Sequence, residues 1–233
     1  MSPTEDAQNS EMAYRLLEFS IVIVANDHNP SIINPDFLMI NEIVDKEWRR
    51  IGDAISTPAF SKVAYDNNLS ITVDPNRLNI VDGSGDLNIP NSPALKVARK
   101  YVEVLPHIRY SAVGINFRVF YEIEDPDQAI KSQYLKPGIW LESSDDLHGI
   151  GFKFAHPMEN GKKLITVESA VVNTMDPSDG SVTQKTGIMV FGNYHRDCKE
   201  YPAARQLDSC FGLLPNDWSD FNSILAKLGG NHV

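Results

Sequence analysis

Cysteine is scarce in this chain: two residues, Cys198 and Cys210, in 233. With 42% hydrophobic residues there is apolar material enough for a core without a disulfide framework, so reduced thiols are expected. Clustered positive charge is lacking too. Basic residues come at most in adjacent pairs, such as Arg49 with Arg50 and Lys162 with Lys163, and the formal charge is −10. Both halves share the deficit, with 9 basic against 15 acidic residues over 1–108 and 12 against 16 over 109–233. Neutralising phosphates supplies most of the affinity for nucleic acid, so direct DNA or RNA binding is not expected. Long apolar runs are absent as well. The longest, residues 21–25, is far shorter than the roughly 20 residues a membrane helix requires. Residues 1–12 are polar and acidic and lack the basic-then-apolar order of a signal peptide; they are expected to be a flexible leader of a cytoplasmic protein. Missing, finally, are a nucleophile elbow, a phosphate loop, a dinucleotide fingerprint and a paired-histidine helix, for Gly83-Ser84-Gly85 has no following helix glycine. No cofactor is expected, and the balance moves towards binding.

What is present is a regular alternation of elements. Residues 17–26 form a nearly continuous apolar, β-branched run that predicts a central strand covered on both faces. Asn34-Pro35-Asp36 then combines a cap, a proline suited to the first helical position and an acid that complements the macrodipole. The short helix it opens should turn Phe37, Ile40 and Val44 to one side. Alternating groups at Val63 and Tyr65, at Leu69, Ile71 and Val73, and at Leu78 and Ile80 predict an antiparallel meander. Ser92-Pro93 opens a helix with Leu95, Ala98, Val102 and Leu105 at helical spacing. The second half repeats the order: a strand over 110–123, a helix after Asp125-Pro126-Asp127, strands near 150–154, 164–172 and 187–193, and a final helix with Trp218, Phe221, Leu225 and Leu228.

Element order and the recurring Asx-Pro-Asp cap suggest an α+β chain of two β-α-β-β-β-α units in tandem, residues 13–108 and 109–233, with antiparallel sheets and helices packed on one face. The two units could equally make one continuous domain. In topology this arrangement resembles the saddle of TATA-box-binding-protein-like folds, although the acidic charge speaks against carrying DNA binding over. The segments 28–38 (HNPSIINPDFL) and 110–117 (YSAVGINF) are similar to those of an uncharacterised group of bacterial proteins of about this length. That resemblance implies a bacterial cytoplasmic origin and assigns no activity.

Three constellations could carry chemistry. His195, Cys198 and Cys210 are zinc-ligand types, but three ligands without a close Cys pair also suit an ordinary loop with buried thiols. Asp145, Asp146 and His148 could hold a divalent ion, whereas His156, across a strand and about 25 Å from His148 at the usual strand rise, is too far to share it; a solvated loop on each side of that strand accounts for them too. Asp27-His28 follows the first strand, where His28 could serve as a general base poised by Asp27, or both could satisfy a turn. Taken together, the sequence points to a non-enzymatic protein-binding, adaptor or inhibitor protein in a bacterial cytoplasmic complex. A protein partner of basic character is expected, with a homo-oligomer also open. The competing expectation is a metal-dependent hydrolase or nuclease-like enzyme.

Overall fold

A computed structural model describes residues 14–136, 138, 149–175, 180–199 and 202–229. The chain opens with strand β1 (Tyr14–Asn26), helix α1 (Pro35–Ile40) and strands β2 (Ile55–Ser56), β3 (Ser61–Ala64), β4 (Leu69–Asp74) and β5 (Arg77–Asp82). Helix α2 (Pro93–Val104), strand β6 (Arg109–Glu122) and helix α3 (Pro126–Tyr134) follow. Strands β7 (Gly151–Met158), β8 (Gly161–Met175) and β9 (Val182–Asp197) lead to helices α4 (Ala203–Gly212) and α5 (Leu214–Gly229). This is a mixed α+β fold built on one nine-stranded sheet, ordered β2-β3-β4-β5-β1-β6-β9-β8-β7 and antiparallel throughout. Among the described residues no helix is long and apolar enough to cross a membrane.

The expected capping chemistry is in place. Asn34 accepts a hydrogen bond from the Phe37 amide at 2.9 Å, Asp125 from the Gln128 amide at 2.9 Å, and Ser92 from the Ala94 amide at 3.1 Å. Each side chain satisfies an amide that has no partner within its own helix. The Ser92 hydroxyl also donates to Asp82 at 2.6 Å, which ties α2 to the end of β5.

Strand alternation sends one set of side chains to a single core. Val63, Ile71, Ile80, Ile21, Ile115 and Tyr194 stand opposite one another in sequence across six adjacent strands, all buried. The helices cover this face: Tyr121 donates to the Leu225 carbonyl, Arg196 pairs with Asp217, and Tyr134 packs on Phe152. At the centre Phe117 contacts Phe19, Tyr194, Trp218 and Phe221 with ring centroids 5.2–5.7 Å apart. Gly192, opposite Phe117 in β9, leaves room for Phe221; a Cβ there would meet its ring at 2.7 Å.

Several expectations need correcting. Among the described residues helices cover only one face of the first strand; on the other face Val22 and Val24 are half-buried, and the buried Ser20 accepts from Asn116. In α1 the fully buried residue is Leu38, with Phe37 half-buried against the core; Val44 is buried as expected, together with Ile43, but Ile40 is 73% exposed, because the helix ends after six residues. In α2 the buried stripe is Ala94, Val97, Ala98, Tyr101 and Val102, with Leu95 only half-buried. The last helix is preceded by α4, which the sequence reading did not anticipate. Strands β8 and β9 are longer than the reading allowed. Beyond Ser169 of β8, whose amide donates to the Ile150 carbonyl, and Thr186 of β9, which accepts from the Ile123 amide, the two strands form ladder pairs only with each other among the described residues, as a two-stranded ribbon.

Candidate functional site

The opposite face of the sheet carries the alternate residues of every strand, and among the described residues no helix packs on it. One cross-strand row on this face runs Glu18, Arg118, Phe191, Thr166, Lys153. Arg118 lies 3.7 Å from the Glu18 carboxylate, and its guanidinium stands 6.0 Å from the Phe191 ring centroid. Arg118, Phe191, Thr166, Met189 and Glu168 surround a depression of about 270 Å³. The neighbouring row is polar: Asn193 donates to the Asn116 side-chain oxygen at 2.5 Å, and Asn116 donates to the Ser20 hydroxyl at 3.3 Å. Asn116 is nearly inaccessible, so these bonds replace the water it would otherwise need. The face is therefore amphipathic, with an aromatic ring, a thioether, a guanidinium and one carboxylate around one hollow.

A second hollow lies where β9 ends. A groove of about 700 Å³ is enclosed by the β7–β8 turn (Glu159, Asn160), by Arg196 and Asp197, and by Arg205, Ser209 and Cys210 of α4. Arg196 makes a bidentate pair with Asp217, at 2.7 and 2.6 Å, and both side chains are largely buried. Burial raises the affinity of the Asp217 carboxyl for its proton, and the guanidinium opposes that rise. Cys198 and Cys210 are both free and buried. The two thiols titrate together: the neighbouring Cys198 and Arg196 lower Cys210, and Cys210 and burial raise Cys198.

Of the sequence candidates, the structure brings Cys198 and Cys210 together and leaves His195 aside. Strand alternation puts His195 on the helix-free face, where its Nε2 lies 3.1 Å from Asp197, whose carboxyl this contact and Lys199 hold below the usual range. Among the described residues no three His, Cys, Asp or Glu side chains converge as a metal-binding group. Asp145, Asp146 and His148 lie outside the described residues. His156 is an exposed residue of β7 paired with Lys163 of β8.

Asp27 and His28 point apart. Asp27, with φ of 70°, forms an exposed ion pair with Arg109, whereas the His28 ring turns inward, its Nδ1 2.9 Å from the Tyr101 hydroxyl. The ring packs on Tyr101 and Tyr110, and Nε2 is buried without a hydrogen-bond partner among the described residues. Burial lowers its proton affinity, with the Ile23 backbone and Asp74 pulling the other way. An unfolded histidine takes up a proton near pH 6.5 while the folded one resists it, so His28 favours folding above that pH and the benefit is lost as pH falls below it. Thermal denaturation between pH 7.5 and 5.5 should therefore show a falling melting temperature in the native protein and a flatter profile in His28→Gln, which keeps a polar partner for Tyr101. An unchanged slope in the variant would show that His28 contributes nothing to the pH dependence.

A third hollow, about 880 Å³ between the segment 42–48 and α2, is lined by charges of both signs, among them Lys46 with Glu42 and Lys100 with Glu103. Such self-neutralised surface offers a ligand little net field. Comparison of the chain with protein-family models and with curated proteins finds no match to either.

Proposed function

We propose that this is a non-enzymatic protein-binding module that engages its partner across the helix-free face of the sheet, in a bacterial cytoplasmic complex. The observation that carries the reading is the hollow around Arg118 and Phe191 on a face that no helix covers among the described residues. Anchors that combine an aromatic ring and a guanidinium in a partly desolvated hollow are typical centres of protein interfaces. The net charge of −10 favours a partner of basic character, because complementary fields speed encounter and select partners. The candidate catalytic groups support the enzyme reading less well: His28 is enclosed by tyrosines and Asp27 faces away from it.

The same reading includes an internal duplication. One unit is β1-α1-β3-β4-β5-α2 and the other β6-α3-β7-β8-β9-α5, with β2 and α4 as additions. In support, β1 and β6 lie side by side in the middle of the sheet, with β5, β4 and β3 outward from one and β9, β8 and β7 outward from the other. Such a unit would give each half the same exposed face, and the two would join into one continuous binding surface.

The test is affinity purification from the native host, with wild-type protein and Phe191→Asp run in parallel at low and high salt and co-eluting proteins identified by mass spectrometry. A stoichiometric basic partner that is lost at high salt, and lost in the variant, is the expected result. Equal retention of that partner by Phe191→Asp would overturn the assignment of the face. Recovery of the protein alone in every condition would overturn the adaptor reading.

A further inference from the structure

Sheets avoid pairing with other chains by blunting their free edges with short strands, charge or proline. The outer strands here obey that rule: β2 has two residues, and β7 carries Lys153 and Pro157. The β9 side of the ribbon obeys it as well, with Lys185 held against Glu122 at 2.6 Å. The β8 side does not. Residues 169–175 (SAVVNTM) contain no charged residue, proline or glycine, and Val171 is 57% exposed. Their backbone groups are placed for pairing. Ser169 donates to Ile150 on the β7 side, and the β8–β9 register continues from Gly161 to Met175 without a shift. Successive strand residues direct their N–H and C=O groups to opposite neighbours, so Val171, Asn173 and Met175 direct theirs to the side where no strand pairs with them among the described residues. A ribbon of two strands alone is marginal in water, and further strands supply what it lacks.

We propose that this edge is a homodimer contact, in which residues 171–175 pair antiparallel with the same residues of a second copy about a two-fold axis at Asn173. The two ribbons then form one four-stranded sheet. Charge identifies the occupant: each chain carries −10, so two copies repel over most of their surfaces, and this uncharged edge is where they meet without setting like charges opposite. In that register each Asn173 exchanges two backbone hydrogen bonds with its equivalent, and Val172 stands opposite Thr174 of the copy. The two-fold pairing uses up the edge, so assembly closes at two chains. Five paired residues span only about 17 Å. That is less contact than a permanent interface of roughly 1,200 Å² needs, so the dimer depends on concentration. Added salt screens the repulsion between the chains and strengthens it, the opposite of its effect on a complex with a basic partner.

The experiment is sedimentation velocity of the full chain from about 5 μM to about 500 μM, at low and high salt. The wild type is expected to pass from monomer to dimer as concentration rises, and to do so earlier at high salt. Asn173 and Gln184 stand opposite each other in the ribbon, so proline at either removes one outward N–H, from the β8 edge or the β9 edge. Asn173→Pro should weaken dimerisation roughly tenfold or more, and Gln184→Pro should leave it unchanged. A wild type that stays monomeric at every concentration, or that grows into open polymers, would overturn the proposal. Equal dimerisation by Asn173→Pro would overturn the choice of edge. Hydrogen exchange of the wild type needs no substitution and keeps the test valid even if a variant does not fold. Amides of residues 171–175 should exchange more slowly at the higher concentration while those of 182–187 do not change, and equal exchange of 171–175 at both concentrations would refute the contact.

Discussion

Replacing Phe117 by alanine is expected to destabilise the protein by about 3–5 kcal/mol, the range for removing a fully buried phenyl ring. Phe117 is inaccessible and lies on β6, beside the middle strand of the sheet, and its ring is shared by contacts from β1, β9 and α5. Relaxation cannot fill the space, because Phe19 and Tyr194 are fixed by their own strands and the neighbouring position in β9 is Gly192. For a chain of this size each kcal/mol moves the melting temperature by about 2–4 °C, so a fall of about 6–20 °C is expected in thermal denaturation. A fall of only a degree or two would mean that the aromatic cluster is not the organising core of the sheet.

The second large effect is expected at the buried ion pair. Arg196→Met removes the guanidinium from Asp217 and leaves a carboxylate inside the α5–β9 contact. Breaking a buried pair in this way costs about 3–5 kcal/mol, chiefly because the remaining charge has no compensation. Two further measurements separate this cause from lost packing. Arg196→Met combined with Asp217→Leu should recover much of the stability, since apolar replacements of buried pairs are often neutral or better. The deficit of the single variant should also depend on pH in a defined direction. Burial already raises the Asp217 carboxyl, and without Arg196 nothing from that side opposes the rise. A raised carboxyl favours the folded state while it is protonated, so the variant is least impaired near pH 4 and loses stability as pH rises through the elevated value. Chemical denaturation at pH 4.5 and 7.5 would show this; equal deficits at the two values would rule out the uncompensated charge.

Much of the architecture was legible because it depends on local signals. The alternation of Leu69, Ile71 and Val73 and of Leu78 and Ile80 can be satisfied only by strands with one buried face, and Asp74-Pro75-Asn76 supplies the turn between them. Asn34, Ser92 and Asp125 announced three helix starts correctly because capping needs only the cap residue and the amides that follow it. Helix α4 escaped because it begins at Pro202 without a capping side chain, although Leu207, Cys210 and Phe211 do carry helical spacing. The continuous apolar run of β1 misled for another reason: Val22 and Val24 look like core in sequence, yet they belong to the helix-free face.

The site was less legible, since cross-strand neighbours are remote in sequence. Glu18, Arg118, Phe191 and Thr166 share a row only because four strands are in register. Nothing in residues 191–196 announces that Arg196 turns inward to Asp217 while His195 turns the other way. The short separation of Cys198 and Cys210 was visible, but the burial of Cys210 depends on α4, the element the reading lacked.

The seam between β1 and β6 also governs how the protein can be made. Tyr14 stands opposite Tyr121 and Asn26 opposite Arg109, so residues from about 80 to more than 100 positions apart must meet before the middle of the sheet exists. During synthesis the first half can complete its pairing from β2 through β5 to β1 while β1 still presents a bare edge with β-branched residues. That edge is a template for any other extended chain until β6 emerges from the ribosome. Translation speed over residues 83–122 therefore sets how long each nascent chain remains open to mispairing, and slowing it should lower the soluble yield.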